Sequence, residues 1–219
     1  MVRIIPALLA KDKEDFLRRA KLVADSVDLA QVDVLDGVFL PEKSWAEPVE
    51  IAQLGLPLFF EAHLMVQNPE EKIKSWSAVA ERIIFHFEAT AKPEVCIEEI
   101  RRYNKKVGLA INPETSVETI APYLRKIDFL LVMGVNPGKM GQQFLPETIT
   151  KIKQVRKIMP ELPIMVDGGV KKENIATMYE AGVRDFVVGS GIFKAADPKN
   201  ELKEYLKIVE QCDKRSTLQ

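Results

Sequence analysis

The sequence contains little cysteine, no long apolar run and no excess of either charge, and each absence excludes a class of protein. The two cysteines, Cys96 and Cys212, lie far apart, so the chain has no disulfide framework and no paired-cysteine metal motif. A reducing cytoplasmic compartment is therefore expected. The apolar stretch that opens the chain spans a few residues before charges begin, which predicts neither a signal peptide nor a membrane span.

The charges are balanced, and this balance argues against a partner that is recognised through a broad electric field. The chain has 31 basic and 32 acidic residues along its length, for a formal net charge of −1. No basic patch suited to nucleic acid or to an anionic membrane is present. With 219 residues and no linker-like or low-complexity tract, we expect one domain, residues 1–219, with a frayed tail at about 210–219.

Short apolar runs recur along the chain and alternate with charged segments of helical periodicity, which predicts an α/β fold with parallel strands. We count eight such runs, and eight strand–helix units in a chain of this length favour a closed (β/α)₈ TIM barrel over an open doubly wound sheet. The runs are RIIPALLA, VDLAQVDVL, LPLFFEAHLM, RIIFHFEA, KVGLAI, IDFLLVMGV, LPIMVDGG and RDFVVGS.

Several polar residues lie on inward-facing phases of the predicted strands. Alternation along strand two places Gln31 and Asp33 inside the barrel, His63 has the same phase on strand three, and Asp167 ends strand seven. A buried carboxylate is costly unless it meets a cation or several hydrogen-bond donors, so a shared site is indicated. The alternative is that these are independent strand-end residues that reach solvent or loops.

Seven segments occur in the order and spacing of a known family: IIPALLAKD, VDVLDGVFLP, EAHLMVQNPE, FHFEA, NPGKMGQQFLP, VDGGV and VGSGIF. Together they resemble the ribulose-phosphate 3-epimerase family over nearly the whole chain. The resemblance implies a ribulose-phosphate-binding barrel and an isomerase of the pentose phosphate pathway that interconverts D-ribulose 5-phosphate and D-xylulose 5-phosphate. An epimerase for a hexulose 6-phosphate and a non-catalytic sugar-phosphate binding protein are the alternatives.

Carried over by position, Asp33 resembles the family's proton acceptor and Asp167 its proton donor at C3. Both also resemble ligands of one divalent metal ion, together with His63, which we further expect to contact the substrate. Epimerisation removes a proton from one face of a carbon and returns one to the other face, so it needs acid/base groups on opposing walls, as strands two and seven provide. A divalent ion would stabilise the enediolate left by deprotonation.

Gln31 departs from the family pattern, which has a metal-ligating histidine in HVDVMDG where this chain has QVDVLDG. Its carbonyl oxygen is one option as a fourth ligand, and this would shift preference from Zn²⁺ towards harder ions such as Mg²⁺ or Mn²⁺, with Fe²⁺ and Co²⁺ as further candidates. Alternatively its amide NH₂ holds Asp33 and the site binds metal poorly or not at all. A second departure is Ala7, which stands where the family has a serine that contacts the substrate.

Glycine-rich loops after strands seven and eight are candidates for phosphate binding through backbone N–H groups. They contain Gly168 and Gly169 after strand seven, and Gly189 and Ser190 after strand eight. After strand six, the segment that resembles the family's mobile loop is predicted to contact the substrate, with Lys139 either reaching it or solvated. Its residues are Gly138, Lys139, Met140 and Gly141.

Other activities of similar barrels are less well supported. A Schiff-base aldolase needs an inward lysine at a strand end, and none of the predicted strands has one. A related decarboxylase group carries an Asp-x-Lys pair on strand three, where this chain has His63, Leu64 and Met65. Trp45 and its apolar neighbours are candidates for a homo-oligomer contact.

Overall fold

The computed structural model describes residues 2–137 and 142–216, and a barrel of eight parallel strands lies at its centre. The strands pair in chain order and β1 also pairs with β8, which closes the barrel and confirms the predicted (β/α)₈ architecture. The strands are β1 (Arg3–Leu8), β2 (Leu29–Leu35), β3 (Phe59–Met65), β4 (Ala80–His86), β5 (Lys106–Ile111), β6 (Phe129–Met133), β7 (Ile164–Asp167) and β8 (Asp185–Val188).

Helices connect the strands and cover the outside of the barrel. Asp12 caps the first of them by accepting the N–H of Asp15. The helices are α1 (Lys13–Val23), α2 (Pro48–Gln53), α3 (Glu70–Trp76), α4 (Pro93–Arg102), α5 (Val117–Ile120), α6 (Glu147–Ile158), α7 (Ile175–Ala181), α8 (Ser190–Phe193) and α9 (Pro198–Ser216), with 3₁₀ turns at Phe87–Ala89 and Ala121–Tyr123.

The carboxyl-terminal helix includes part of the segment for which a frayed tail was predicted. Helix α9 continues to Ser216, and Cys212 on it is buried against the core. The predicted tail is therefore helical as far as Ser216. Within residues 2–137 and 142–216, no helix is both long enough and apolar enough to cross a membrane.

Alternation along each strand produces two separate apolar cores. Residues such as Val32 and Val166 face outward and pack with the helices in the larger core. The inward residues form a smaller cluster inside the barrel, which includes Ile5, Ile84 and Val187. On β1, β4 and β8 this apolar layer lies between charged residues at the amino-terminal end of the barrel and the residues at its carboxyl-terminal mouth.

Two arginines and two carboxylates form a charge-balanced cluster at the amino-terminal end. Arg3 donates to Asp185 from Nε at 2.9 Å and from Nη2 at 2.6 Å. Arg82 bridges the two acids, donating from Nη1 to Asp185 at 3.1 Å and from Nε to Glu61 at 2.6 Å. Burial raises the pKa of Glu61 to about 7, and its pairing with Arg82 limits the rise. The cluster thus joins β1, β3, β4 and β8 across the barrel.

Gly108 on β5 provides the space that the Phe129 ring occupies inside the barrel. A Cβ at position 108 would lie 2.5 Å from two atoms of that ring and 2.8 Å from Ile84. The ring cannot easily retreat, because the Arg82 guanidinium lies 4.5 Å from its centroid. We therefore expect Gly108→Ala to lower the free energy of unfolding by about 1–3 kcal/mol through overpacking.

Urea denaturation would measure this loss. Adding Phe129→Leu to the Gly108→Ala variant should restore part of the stability, because it removes the atoms that clash. An unchanged unfolding midpoint in Gly108→Ala would show that the inner layer adapts more freely than this packing implies.

Candidate active site

Two carboxylates from distant strands meet at the carboxyl-terminal mouth of the barrel. Asp33 lies near the end of β2 and Asp167 ends β7, and the register pairs Asp33 with His63 on β3. One donor atom from each of Asp33, His63 and Asp167 lies within 4.8 Å of the others. The structure thus brings together three residues that alternation alone had placed on inward faces.

The side-chain amide of Gln31 lies against all three of these residues. Its Nε2 donates to Asp33 Oδ1 and to Asp167 Oδ2, each at 2.7 Å, and lies 3.2 Å from His63 Nδ1. An amide nitrogen carries two hydrogens, and the two carboxylates use both of them. The sequence left two roles open for Gln31: a metal ligand through its carbonyl oxygen, or a hydrogen-bond donor to Asp33 through its NH₂ group. In the structure the NH₂ group faces the carboxylates, and it donates to both Asp33 and Asp167.

The electrostatics of the site reflect two acids held close together away from water. Burial raises the pKa of Asp33, and the nearby charge of Asp167 adds to the rise. Burial alone would lower the pKa of His63, but its contacts with Asp167 and Asp33 outweigh this and raise it to about 9. Without a metal ion, the imidazole of His63 therefore serves as the local cation for the carboxylate pair.

A second histidine supports His63 from behind. The two Nε2 atoms of His63 and His86 lie 2.9 Å apart and the rings are stacked, with centroids 5.0 Å apart. Burial lowers the pKa of His86, and the proximity of His63 adds to this, so His86 is neutral and accepts the Nε2–H of His63. The Nδ1–H of His86 then faces Glu88 Oε2 at 3.5 Å. With its Nε2 facing His86, the ring of His63 directs Nδ1 at the carboxylates of Asp33 and Asp167.

Glu88 is itself anchored to the loop after β5. Its Oε1 accepts the backbone N–H of Asn112 at 2.8 Å and the hydroxyl of Thr115. Burial would raise the pKa of Glu88, but its contact with His86 and these hydrogen bonds lower it. Glu88 is therefore an ionised acceptor at the end of the histidine pair.

The spacing of the donor atoms suits a divalent metal ion. His63 Nδ1 lies 3.4 Å from Asp33 Oδ1 and 3.3 Å from Asp167 Oδ2. Ligands at about 2.0–2.1 Å from a tetrahedral ion are separated by about 3.3–3.4 Å, so both of these separations suit such a site, and the three donor atoms all lie within 4.8 Å of one another. Gln31 Nε2 lies beside the three atoms as a neighbouring corner would, and its Oε1 is buried with no hydrogen-bond partner among the described residues. The donor set therefore fits a metal ion.

A cavity of about 410 Å³ opens directly above the two carboxylates. Asp33 and Asp167 form its floor together with Met65 and Met133, and Ala7 lies on its wall. His63 lies beneath this floor and is fully buried. A small molecule in this cavity would contact both carboxylates at once.

The backbone that follows Asp167 turns sharply at two glycines. Gly168 and Gly169 have φ angles of 96° and 68°, in the left-handed region that favours glycine. A Cβ on Gly169 would lie 2.6 Å from the Cα of Phe144, so the loop after β6 packs directly against this turn. The turn carries the chain from Asp167 to one end of the cavity.

The sequence of this chain matches a known protein family over most of its length. The sequence profile described as the Ribulose-phosphate 3 epimerase family matches residues 3–193. The chain belongs to this family. It is 38% identical over 203 residues to the ribulose-phosphate 3-epimerase of Mycobacterium leprae, covering 89% of each chain. It is 36% identical over 203 residues to that of Schizosaccharomyces pombe, covering 90% of this chain and 89% of the relative.

Among solved structures, this family member is similar in fold to KGPDC from Streptococcus mutans. The TM-score is 0.77 at 13% sequence identity, and the match covers 97% of this chain and 99% of the other. At this identity the similarity concerns the fold alone.

The loops predicted to bind phosphate line the same cavity. Gly168 and Gly169 lie on one side, and Gly189 and Ser190 lie beside them at the end of β8. The loop predicted to close over the substrate in this family, Gly138, Lys139, Met140 and Gly141, lies outside the described residues.

Sequence reasoning missed three polar residues that line the cavity. Lys171 and Lys194 follow the two glycine-rich loops, and Gln142 lies after β6, where its Nε2 donates to the carbonyl of Asn136 at 2.6 Å. The lysines had a readable signal, since a cation a few residues beyond each glycine loop suits an anion site. They place positive charge in the cavity beside the two glycine-rich loops.

Proposed function

We propose that this protein is an isomerase that interconverts D-ribulose 5-phosphate and D-xylulose 5-phosphate by proton transfer at C3. The observation that carries the proposal is the meeting of Asp33 and Asp167, from opposite walls of the barrel, on the floor of one cavity. Membership of the ribulose-phosphate 3-epimerase family supports the same activity.

In the proposed reaction Asp33 accepts the proton from C3 on one face and Asp167 donates a proton to the other. The raised pKa of Asp33, caused first by burial, strengthens it as a base relative to an exposed carboxylate. Gln31 holds the two carboxylates in position with hydrogen bonds, and His63 lies 3.4 Å from Asp33 and 3.3 Å from Asp167 as their ion-pair partner.

Asp33, His63 and Asp167 are the residues that we propose hold one divalent metal ion. Such an ion would act as a Lewis acid and stabilise negative charge on the substrate oxygens after deprotonation. The backbone of Gly168, Gly169, Gly189 and Ser190 would bind the phosphate, with Lys171 and Lys194 nearby. We propose that the substrate spans the cavity between these two ends.

Incubating the protein with D-ribulose 5-phosphate in heavy water and following C3 by NMR tests the proposed function. We expect deuterium at C3 and the appearance of D-xylulose 5-phosphate. No incorporation with Mg²⁺, Mn²⁺ or Zn²⁺ added would instead favour a sugar-phosphate binding protein. Faster exchange with a hexulose 6-phosphate would assign the longer substrate.

His86 is a positioning residue in this proposal, because it fixes the orientation of His63. We expect His86→Phe to weaken binding of a divalent ion roughly 10- to 100-fold, since the ring of His63 loses its acceptor. Calorimetric titration with Mn²⁺ would measure the change.

The conservative variant His86→Gln provides the control. Its amide oxygen can still accept the Nε2–H of His63, so it should recover much of the affinity for Mn²⁺. Equal dissociation constants for wild type and His86→Phe would contradict a positioning role.

We further propose that residues 1–219 form one domain in the cytoplasm. The closed barrel and the packing of α9 against its core support the single domain. Burial of both cysteine thiols is consistent with a reducing compartment. Val38 and Val49, with exposures of 72% and 68%, are apolar residues near Trp45 in sequence that support a homo-oligomer contact.

A further inference from the structure

The amide of Gln31 presents one end to the site and leaves the other end unsatisfied. Its Nε2 bridges the two carboxylates at 2.7 Å each. Its Oε1 is buried without a hydrogen-bond partner among the described residues, and the residue as a whole is 0% exposed. An unsatisfied buried acceptor is costly, so this arrangement is maintained by what the NH₂ group does at the other end.

The two ends of an amide have nearly the same shape but opposite chemistry. The NH₂ group donates hydrogen bonds and cannot bind a cation, whereas the carbonyl oxygen is a neutral ligand for hard divalent ions. Rotation of the terminal amide by a half turn exchanges them without displacing neighbouring atoms. The rotation would place Oε1 beside Asp33, Asp167 and His63, at the corner that Nε2 now occupies.

We propose that Gln31 serves the site through both ends of its amide. In the metal-free protein, the NH₂ group holds the two aspartates together and offsets their repulsion. When a divalent ion binds, the amide rotates and its carbonyl oxygen becomes the fourth ligand. The inference rests on the proposed metal site, and it assigns to Gln31 a function that depends on metal occupancy.

Two consequences distinguish this arrangement from a fixed ligand. The metal-free site is already ordered, because a neutral donor occupies the place of a ligand and satisfies both acids. Metal binding must break two charge-assisted hydrogen bonds, so affinity is lower than with an imidazole at this position. An oxygen in place of a nitrogen also shifts preference from Zn²⁺ towards Mn²⁺ and Mg²⁺.

The variant Gln31→Met, which keeps a similar volume without the amide, tests both functions. We expect it to melt at a lower temperature than wild type in the presence of a chelator, because the carboxylates lose their shared donor. We also expect its dissociation constant for Mn²⁺, measured by calorimetry, to rise at least tenfold. Gln53→Met, at an exposed position on α2, is the matched control and should change neither value.

Gln31→His tests the ion preference. We expect the ratio of Zn²⁺ to Mn²⁺ affinity to rise at least tenfold over wild type. An unchanged or stronger affinity of Gln31→Met for Mn²⁺ would overturn the proposal, because the amide would then obstruct the ion rather than bind it.

NMR of the wild-type protein labelled with ¹⁵N-glutamine tests the rotation directly and does not depend on a variant that folds. The Gln31 side-chain NH₂ signals, assigned by their loss in Gln31→Met or in Gln31→His, should lie downfield without metal and move upfield on saturation with Zn²⁺. Signals that do not move would overturn the rotation. None of these measurements uses substrate, so the C3 exchange assay tests the proposed activity independently.

Discussion

Asp33→Asn and Asp167→Asn should each lower the rate of conversion of D-ribulose 5-phosphate to D-xylulose 5-phosphate by roughly 10²- to 10⁴-fold, the usual contribution of a positioned acid or base. An asparagine has nearly the same shape as an aspartate but cannot accept or deliver the proton. Each variant should block proton transfer on one face only. Single-turnover conversion in heavy water, followed by NMR, would measure both rates.

Asp36 provides a matched control on the loop after β2. Its carboxylate accepts backbone N–H groups of Val38, Phe39 and Gln67 and takes no part in the cavity floor. Asp36→Asn should therefore leave the conversion rate within about twofold of wild type and cost about 1 kcal/mol of stability through a lost hydrogen bond. If Asp33→Asn or Asp167→Asn retained near wild-type conversion to D-xylulose 5-phosphate, the proton-transfer assignment would be wrong.

Arg82→Met should be among the most destabilising substitutions in the barrel, lowering the free energy of unfolding by about 3–5 kcal/mol. Arg82 is the hydrogen-bond partner of Glu61, which is 0% exposed, and its removal leaves that carboxylate buried and uncompensated. Asp185 is less affected, because Arg3 still pairs with it. Chemical denaturation monitored by circular dichroism would measure the loss.

The loss in Arg82→Met should depend on pH in a defined direction. Burial already raises the pKa of Glu61 to about 7, and removing the arginine raises it further. An acid whose pKa is raised in the folded state binds more protons folded than unfolded, so its penalty is absent below its unfolded pKa and grows as pH rises. Arg82→Met should therefore be closer to wild type at pH 5 than at pH 8.

The double variant Arg82→Met with Glu61→Leu separates the lost pair from lost packing. It removes the buried charge together with its partner, and should recover most of the stability and lose the added pH dependence. If the double variant were as unstable as Arg82→Met at both pH values, the loss would come from the packing of Arg82 on Phe129 instead.

The fold was predictable from the sequence because the information is local. Each strand is a short apolar run, each helix has its own periodicity, and eight repeats of this unit in a chain of this length favour a closed barrel. Alternation also fixed which face of its strand each candidate occupies. Gln31, Asp33, His63 and Asp167 all point inward, and they meet because parallel strands bring their carboxyl ends to one mouth.

The contacts that depend on side-chain reach were not predictable in the same way. Alternation leaves open which end of the Gln31 amide faces the acids, and whether it spans from Asp33 on β2 to Asp167 on β7. The contacts of the cluster at the amino-terminal end were unpredictable for a similar reason. Arg82 and Asp185 are 103 positions apart in sequence and meet only through closure of the barrel. Alternation along a strand predicts which face a side chain lies on, whereas its hydrogen-bond partner depends on strand tilt and on side-chain rotamers.

The apolar layer that includes Ile5, Ile84 and Val187 affects how substitutions at the two ends of the barrel combine. It separates the charge-balanced cluster at the amino-terminal end from the carboxylates at the mouth, and the charge of His63 is only a minor influence on the pKa of Glu61. Substitutions at the two ends should therefore combine additively in stability. Residues at the mouth could therefore be substituted while the cluster at the opposite end continues to stabilise the barrel.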